Sequence, residues 1–152
     1  MVLSSPGLDA TLSNPAIQFD DDPLFSGLEP TLRKNAQLWA GDLDLTDPLV
    51  SPLFGSLAGL PPTAVYFGNL DILAPDGLVL QDNALATPGA DFTFILRKGE
   101  IHIWAVNTIL PETLAVLPDI YQQLGIGSDA SPTLSGQSMD AALTGPVVFP
   151  AP

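Results

Sequence analysis

The run Thr63-Ala64-Val65-Tyr66-Phe67, followed at once by Gly68-Asn69-Leu70-Asp71, decides the fold. It is short, continuous and uncharged, with β-branched and aromatic residues, and it predicts a strand covered on both faces, as parallel strands are. Gly68, Asn69 and Asp71 then turn the chain. Phe92-Thr93-Phe94-Ile95-Leu96 repeats the pattern. Residues 75–86 between the two are helical in character, and Pro88-Gly89 stops them. Strand, helix and strand within one unit of about 30 residues make a parallel crossover, for which a right-handed connection is expected. The fold class is therefore α/β: a short parallel sheet flanked by helices.

Outward from this unit the signals weaken. Met1 to Leu3 is an apolar run that ends at Ser4-Ser5-Pro6-Gly7, as a buried strand would. Asp20-Asp21-Asp22-Pro23 is an acidic turn, read as a solvated loop or a charge cluster before a helix. It lacks the alternating ligands, glycine bend and distal Glu of a calcium loop. A helix is predicted over 29–39, with Pro30 in its first turn, Leu32, Ala36 and Trp39 on one face, and Gly41 as its stop. A last helical stretch covers 110–124, where Pro118 predicts a kink or two short helices. Residues 127–152 are rich in Ser, Gly, Pro and Ala and read as a disordered, flexible C-terminal tail. The expected organisation is one domain over 1–126 and a tail over 127–152.

Composition excludes several functions. The 152 residues suit one domain. Only 14% are charged, against about 25% in typical soluble domains. Seventeen are acidic and 4 basic, for a net charge of −13. So few cations exclude a nucleic-acid partner and disfavour attachment to an anionic membrane surface. Without Cys there is no disulfide framework, thiolate metal site or Cys nucleophile. One His and no carboxylates clustered at ligand spacing leave no metal site, and no cofactor is expected. No signal peptide is legible at the start, and no run approaches the roughly 20 apolar residues of a membrane helix. A cytoplasmic protein is the default expectation, with the compartment itself undetermined.

Two residues carry the chemistry. Asp71 lies just past the first strand of the crossover and His102 a few residues past the second. Parallel neighbours end on the same sheet edge, where open α/β sheets place ligand sites. An acid there accepts the imidazole Nδ1–H and fixes the tautomer, which frees the other nitrogen to take a proton from a nucleophile. By themselves, an Asp after a strand is ordinarily a cap or turn residue, and a lone His is ordinarily structural.

Ser51-Pro52-Leu53, Leu60-Pro61-Pro62-Thr63, Gly68-Asn69-Leu70-Asp71-Ile72-Leu73 and Ile101-His102-Ile103-Trp104 together resemble the C-terminal half of the hormone-sensitive-lipase-like α/β-hydrolases. These are the bacterial esterases and lipases called class IV. Leu3-Ser4-Ser5-Pro6-Gly7-Leu8-Asp9 resembles that family's strand and loop after the nucleophile elbow. The resemblance runs over residues 1 to about 125. It implies the C-terminal part of an α/β-hydrolase fold, Asp71 as triad acid, His102 as triad base and, in the full-length family, an acyl ester substrate. Two positions depart from the pattern. The family often has Pro after the acid, where this chain has Ile72, and Asp or Gly after the His, where it has Ile103.

The larger departure is an absence. In this fold the order is Ser, acid, His, with the Ser in G-x-S-x-G. None of Ser4, Ser5, Ser13, Ser26, Ser51 and Ser56 has Gly at both −2 and +2, and no His-Gly-Gly-Gly oxyanion loop occurs. Gly136-Gln137-Ser138 lies after His102. The chain is expected to be the acid and His half of a truncated ester hydrolase, inactive alone. The alternatives are a non-catalytic remnant or interaction module, and a half complemented by a separate N-terminal half. An uncovered sheet edge predicts self-association or a need for that partner. Trp104, beside His102, is read as packing.

Overall fold

The alternation inside strand β2 (Thr63–Gly68) sets the layers of the molecule. Successive side chains of a strand point to opposite faces. Val65 and Phe67 face one way and pack with Leu8, Leu57, Ala74, Leu80 and Ala84. Ala64 and Tyr66 face the other and pack with Trp104, Ala105, Val116 and Ile120. Every residue of β2 is buried, so the strand has a core on each side. The structure, a computed structural model, describes residues 1–19 and 21–126. The proposed tail, 127–152, lies outside the described residues.

Among the described residues the sheet has three parallel strands in the order β1 (Val2–Ser4), β2 and β3 (Phe92–Arg97). Leu3 pairs with Val65 and Phe94 with Val65 from the other side, so β2 is central. Helix α2 (Ala74–Ala86) supplies Ala74, Leu80 and Ala84 to the first core. Helix α3 (Pro111–Gln123) supplies Val116 and Ile120 to the second. The crossover read from the sequence is therefore present, with one helix on each face. A third cluster of Leu12, Ile17 and Ile72, with Phe25, Leu32 and Leu73 against it, fills the space under the loops. Among the described residues no helix is long and apolar enough to cross a membrane.

Three expectations need correction. Helix α1 (Glu29–Ala40) turns Leu32, Ala36 and Ala40 inward, and Trp39 is 78% exposed. A spacing of four replaces the expected step of three, so the alanine, not the indole, is buried. Strand β3 is only partly buried because it lies, like β1, at an edge of the sheet. Pro118 does not divide α3, which runs as a single helix past the N–H that proline lacks.

Candidate active site

The C-terminal edge of the sheet brings Asp71 and His102 together. Asp71 sits one short turn beyond β2, and His102 lies in the loop that leaves β3. Several bonds clamp that loop to the turn. The Asn69 N–H donates to the Arg97 carbonyl at 2.9 Å, and the Leu70 N–H to the Glu100 carbonyl at 3.0 Å. The Gly99 N–H donates to the Asn69 side chain. Gly68 permits this approach, since a Cβ there would overlap the Glu100 carbonyl.

His102 Nδ1 lies 3.1 Å from Asp71 Oδ1. A carboxylate only accepts, so Nδ1–H is the donor and Nε2 is left with its lone pair. Asp71 has no exposed surface, while the His102 side chain keeps 17% of its own. The Leu73 N–H also donates to Asp71 Oδ1, at 2.9 Å. Phe25 stands perpendicular to the imidazole, with ring centroids 4.9 Å apart. The pair can hold a neutral imidazole in one tautomer and stabilise the imidazolium that forms when Nε2 takes a proton.

Ile103 explains a sequence departure. Its φ is 54°, in the left-handed region that Gly and Asp tolerate and β-branched residues avoid. A residue held there costs of order 1–3 kcal/mol unless its surroundings over-determine it. Ser5 supplies part of that constraint. Its Oγ accepts the Ile103 N–H at 2.8 Å, and its own N–H donates to the Tyr66 carbonyl, so it fastens the His102 loop to the end of β1. Trp104 is fully buried, with its ring edge-on to Tyr66 and the Arg97 guanidinium over it, which makes it a packing residue.

Ser5, Asp22 and Phe25 escaped the sequence reading. The run at 20–23 was expected to be solvated, yet the Asp22 carboxylate is fully buried and accepts three backbone N–H groups. The Asp-Pro-Leu-Phe order, with an Asp two residues before a paired N–H, was the available signal.

Asp76, on the first turn of α2, is a second buried acid. Burial raises its pKa above the ordinary 3.8, the Asn14 amide bonded to it opposes the rise, and the Asp9 carboxylate adds to it. A carboxyl with a raised folded pKa binds its proton more tightly in the native than in the unfolded state. Stability therefore falls as pH climbs from the unfolded pKa to the folded one. Below both values the penalty is absent, and above both it is complete. Asp76→Asn is expected to flatten that fall in urea midpoints taken across pH 3 to about 7. An equally steep fall in the variant would contradict this cause.

A buried acid bonded to a histidine above the edge of a parallel sheet is the arrangement of α/β hydrolases. A family model described as the alpha/beta hydrolase fold matches residues 1–106, and the chain belongs to that family, in its hormone-sensitive-lipase-like group. It is 52% identical over 93 residues to a triacylglycerol lipase of Mycobacterium tuberculosis, covering 61% of this chain and 21% of that one. It is 37% identical over 86 residues to an esterase of Acinetobacter venetianus, covering 55% and 28%. Among solved structures, an esterase/lipase from an uncultured bacterium superposes with a TM-score of 0.71 at 26% identity, over 82% of this chain and 41% of that one. A hormone-sensitive lipase from a metagenome library gives 0.70 at 25%, over 82% and 43%. The chain thus spans less than a third of the length of these curated relatives.

Proposed function

We propose that Asp71 and His102 are the acid and base of a carboxylic-ester hydrolase site whose nucleophile and oxyanion donors lie outside these 152 residues. The observation that carries this reading is the 3.1 Å pair between a buried carboxylate and a partly exposed imidazole at the sheet edge. His102 takes the proton of a serine hydroxyl through Nε2 as the hydroxyl attacks an acyl ester. It returns that proton to the leaving alcohol, and Asp71 holds the ring throughout. The alternative, a remnant without chemistry, gives no reason for a fully buried Asp71 to keep this partner.

The missing parts have a place to come from. β1 pairs on one side only among the described residues. Leu38, Trp39, Leu49, Leu85 and Ile109 are apolar and largely exposed. An elbow-bearing N-terminal segment is the partner we assign to the bare edge, and self-association is the outcome without it.

Alone, the chain presents His102 with no serine to activate, so the general-base contribution, typically about 10²–10⁴-fold in a complete site, goes unrealised. Ester turnover of the 152-residue chain on a short nitrophenyl ester is expected near background and unchanged by His102→Ala. A serine-directed fluorophosphonate is expected to label nothing stoichiometrically. Labelling of one serine per chain would place the nucleophile inside it and sink the proposal.

A further inference from the structure

Three N–H groups converge on the Asp22 carboxylate. Oδ1 accepts from Leu24 at 2.7 Å and from Phe25 at 3.1 Å, while Oδ2 accepts from Ile72 at 2.9 Å. A local turn would use the first two alone. The third reaches across 50 residues to the position that follows Asp71. Both turns matter to the pair. The Ile72 N–H belongs to the turn that carries the acid, and Phe25 is the ring that stands against the base. The bond to Ile72 also depends on this chain's departure from the family pattern, because a proline at 72 would have no N–H to give.

We propose that Asp22 is a positioning residue of the Asp71–His102 pair, its one carboxylate tying the acid's turn to the aromatic wall of the base. The proposal rests on reading that pair as acid and base. Asp22 touches neither the imidazole nor a reacting atom. It acts by holding Ile72 and Phe25, and through them the angle at which His102 meets Asp71. Charge strengthens each of the three bonds, since hydrogen bonds to an ionised acceptor are roughly twice as strong as neutral ones.

The test uses the chain's single histidine, which gives one imidazole in ¹⁵N spectra. Wild type is expected to show the Nδ1–H tautomer and nuclear Overhauser contacts between the Phe25 and His102 rings. In Asp22→Asn and Asp22→Ala the ratio of Nδ1–H to Nε2–H tautomers is expected to fall at least ~5-fold, and the ring contacts to weaken. The backbone spectrum away from the two turns should stay in place. Asp44→Asn is the control, since Asp44 caps Thr46 in an exposed turn. It should change neither readout.

Folded Asp22 variants with the wild-type tautomer ratio and ring contacts would overturn the positioning role and leave the acid–base reading intact. A wild type in the Nε2–H tautomer would overturn that reading and the proposal with it. Should neither variant fold, the wild type itself decides. A coupling across the hydrogen bond between the Ile72 ¹⁵N and the Asp22 carboxyl carbon is expected, and its absence would overturn the proposal.

Discussion

Trp104→Ala is expected to lower stability by about 3 kcal/mol. Removing a fully buried Trp typically costs about 3–5 kcal/mol, for the lost transfer energy and the cavity together. The Trp104 side chain is fully buried between Tyr66 and the Arg97 guanidinium, in the core beneath β2. One effect works the other way. The indole N–H is buried without a partner among the described residues, and its removal recovers part of a penalty of about 1–3 kcal/mol. The cavity term is the larger, because the Trp104 carbonyl and Thr113 hydroxyl bond keeps the walls from closing in. Native domains hold only about 5–15 kcal/mol. With a urea slope of about 1–3 kcal/mol/M, the midpoint should move by at least ~1 M. Trp39→Ala, at a position 78% exposed, should stay within about 0.5 kcal/mol. Equal shifts for the two tryptophans would contradict this division of the core.

How far the sequence could be read depends on where each constraint lies. β2 was legible because its residues are all buried, so an unbroken apolar run was its whole signature. Asp71 and His102 were legible because parallel strands end on one edge, and that fixes the two loops as neighbours. Trp39 misled because steps of three and four from Ala36 both fit a helical face. Only the layer beneath decides between them, and it takes Ala40. In Asp20-Asp21-Asp22-Pro23 the local order marks Asp22 as a turn former, but nothing local marks that its carboxylate is buried. Asp22 is chosen by an N–H 50 residues away. The left-handed backbone of Ile103 was hidden because Ile is a residue that predicts the opposite. The chain holds it with Ser5, which lies 98 residues earlier.

Supplied with an elbow, the pair should carry most of the catalysis. Consider residues 1–126 joined behind an α/β-hydrolase segment that contains G-x-S-x-G and an oxyanion loop, with the bare edge of β1 receiving the last strand of that segment. His102 then takes the serine's proton, and Asp71 behind it holds the ring and stabilises the imidazolium. Loss of the histidine from such a triad removes about 10⁶-fold of kcat, because the remaining members cannot act without it. Loss of the acid's charge alone, with its shape kept, costs about 10⁴-fold through the wrong imidazole tautomer. His102→Ala and Asp71→Asn should reproduce this order, with KM little changed because neither residue supplies uniform binding. The most direct measurement is kcat/KM of this chimera on a short acyl ester, with and without His102→Ala. A fall of at least ~10⁴-fold, with fluorophosphonate reactivity of the serine lost in parallel, is the result predicted. A folded chimera that hydrolyses the ester equally well with alanine at 102 would contradict it.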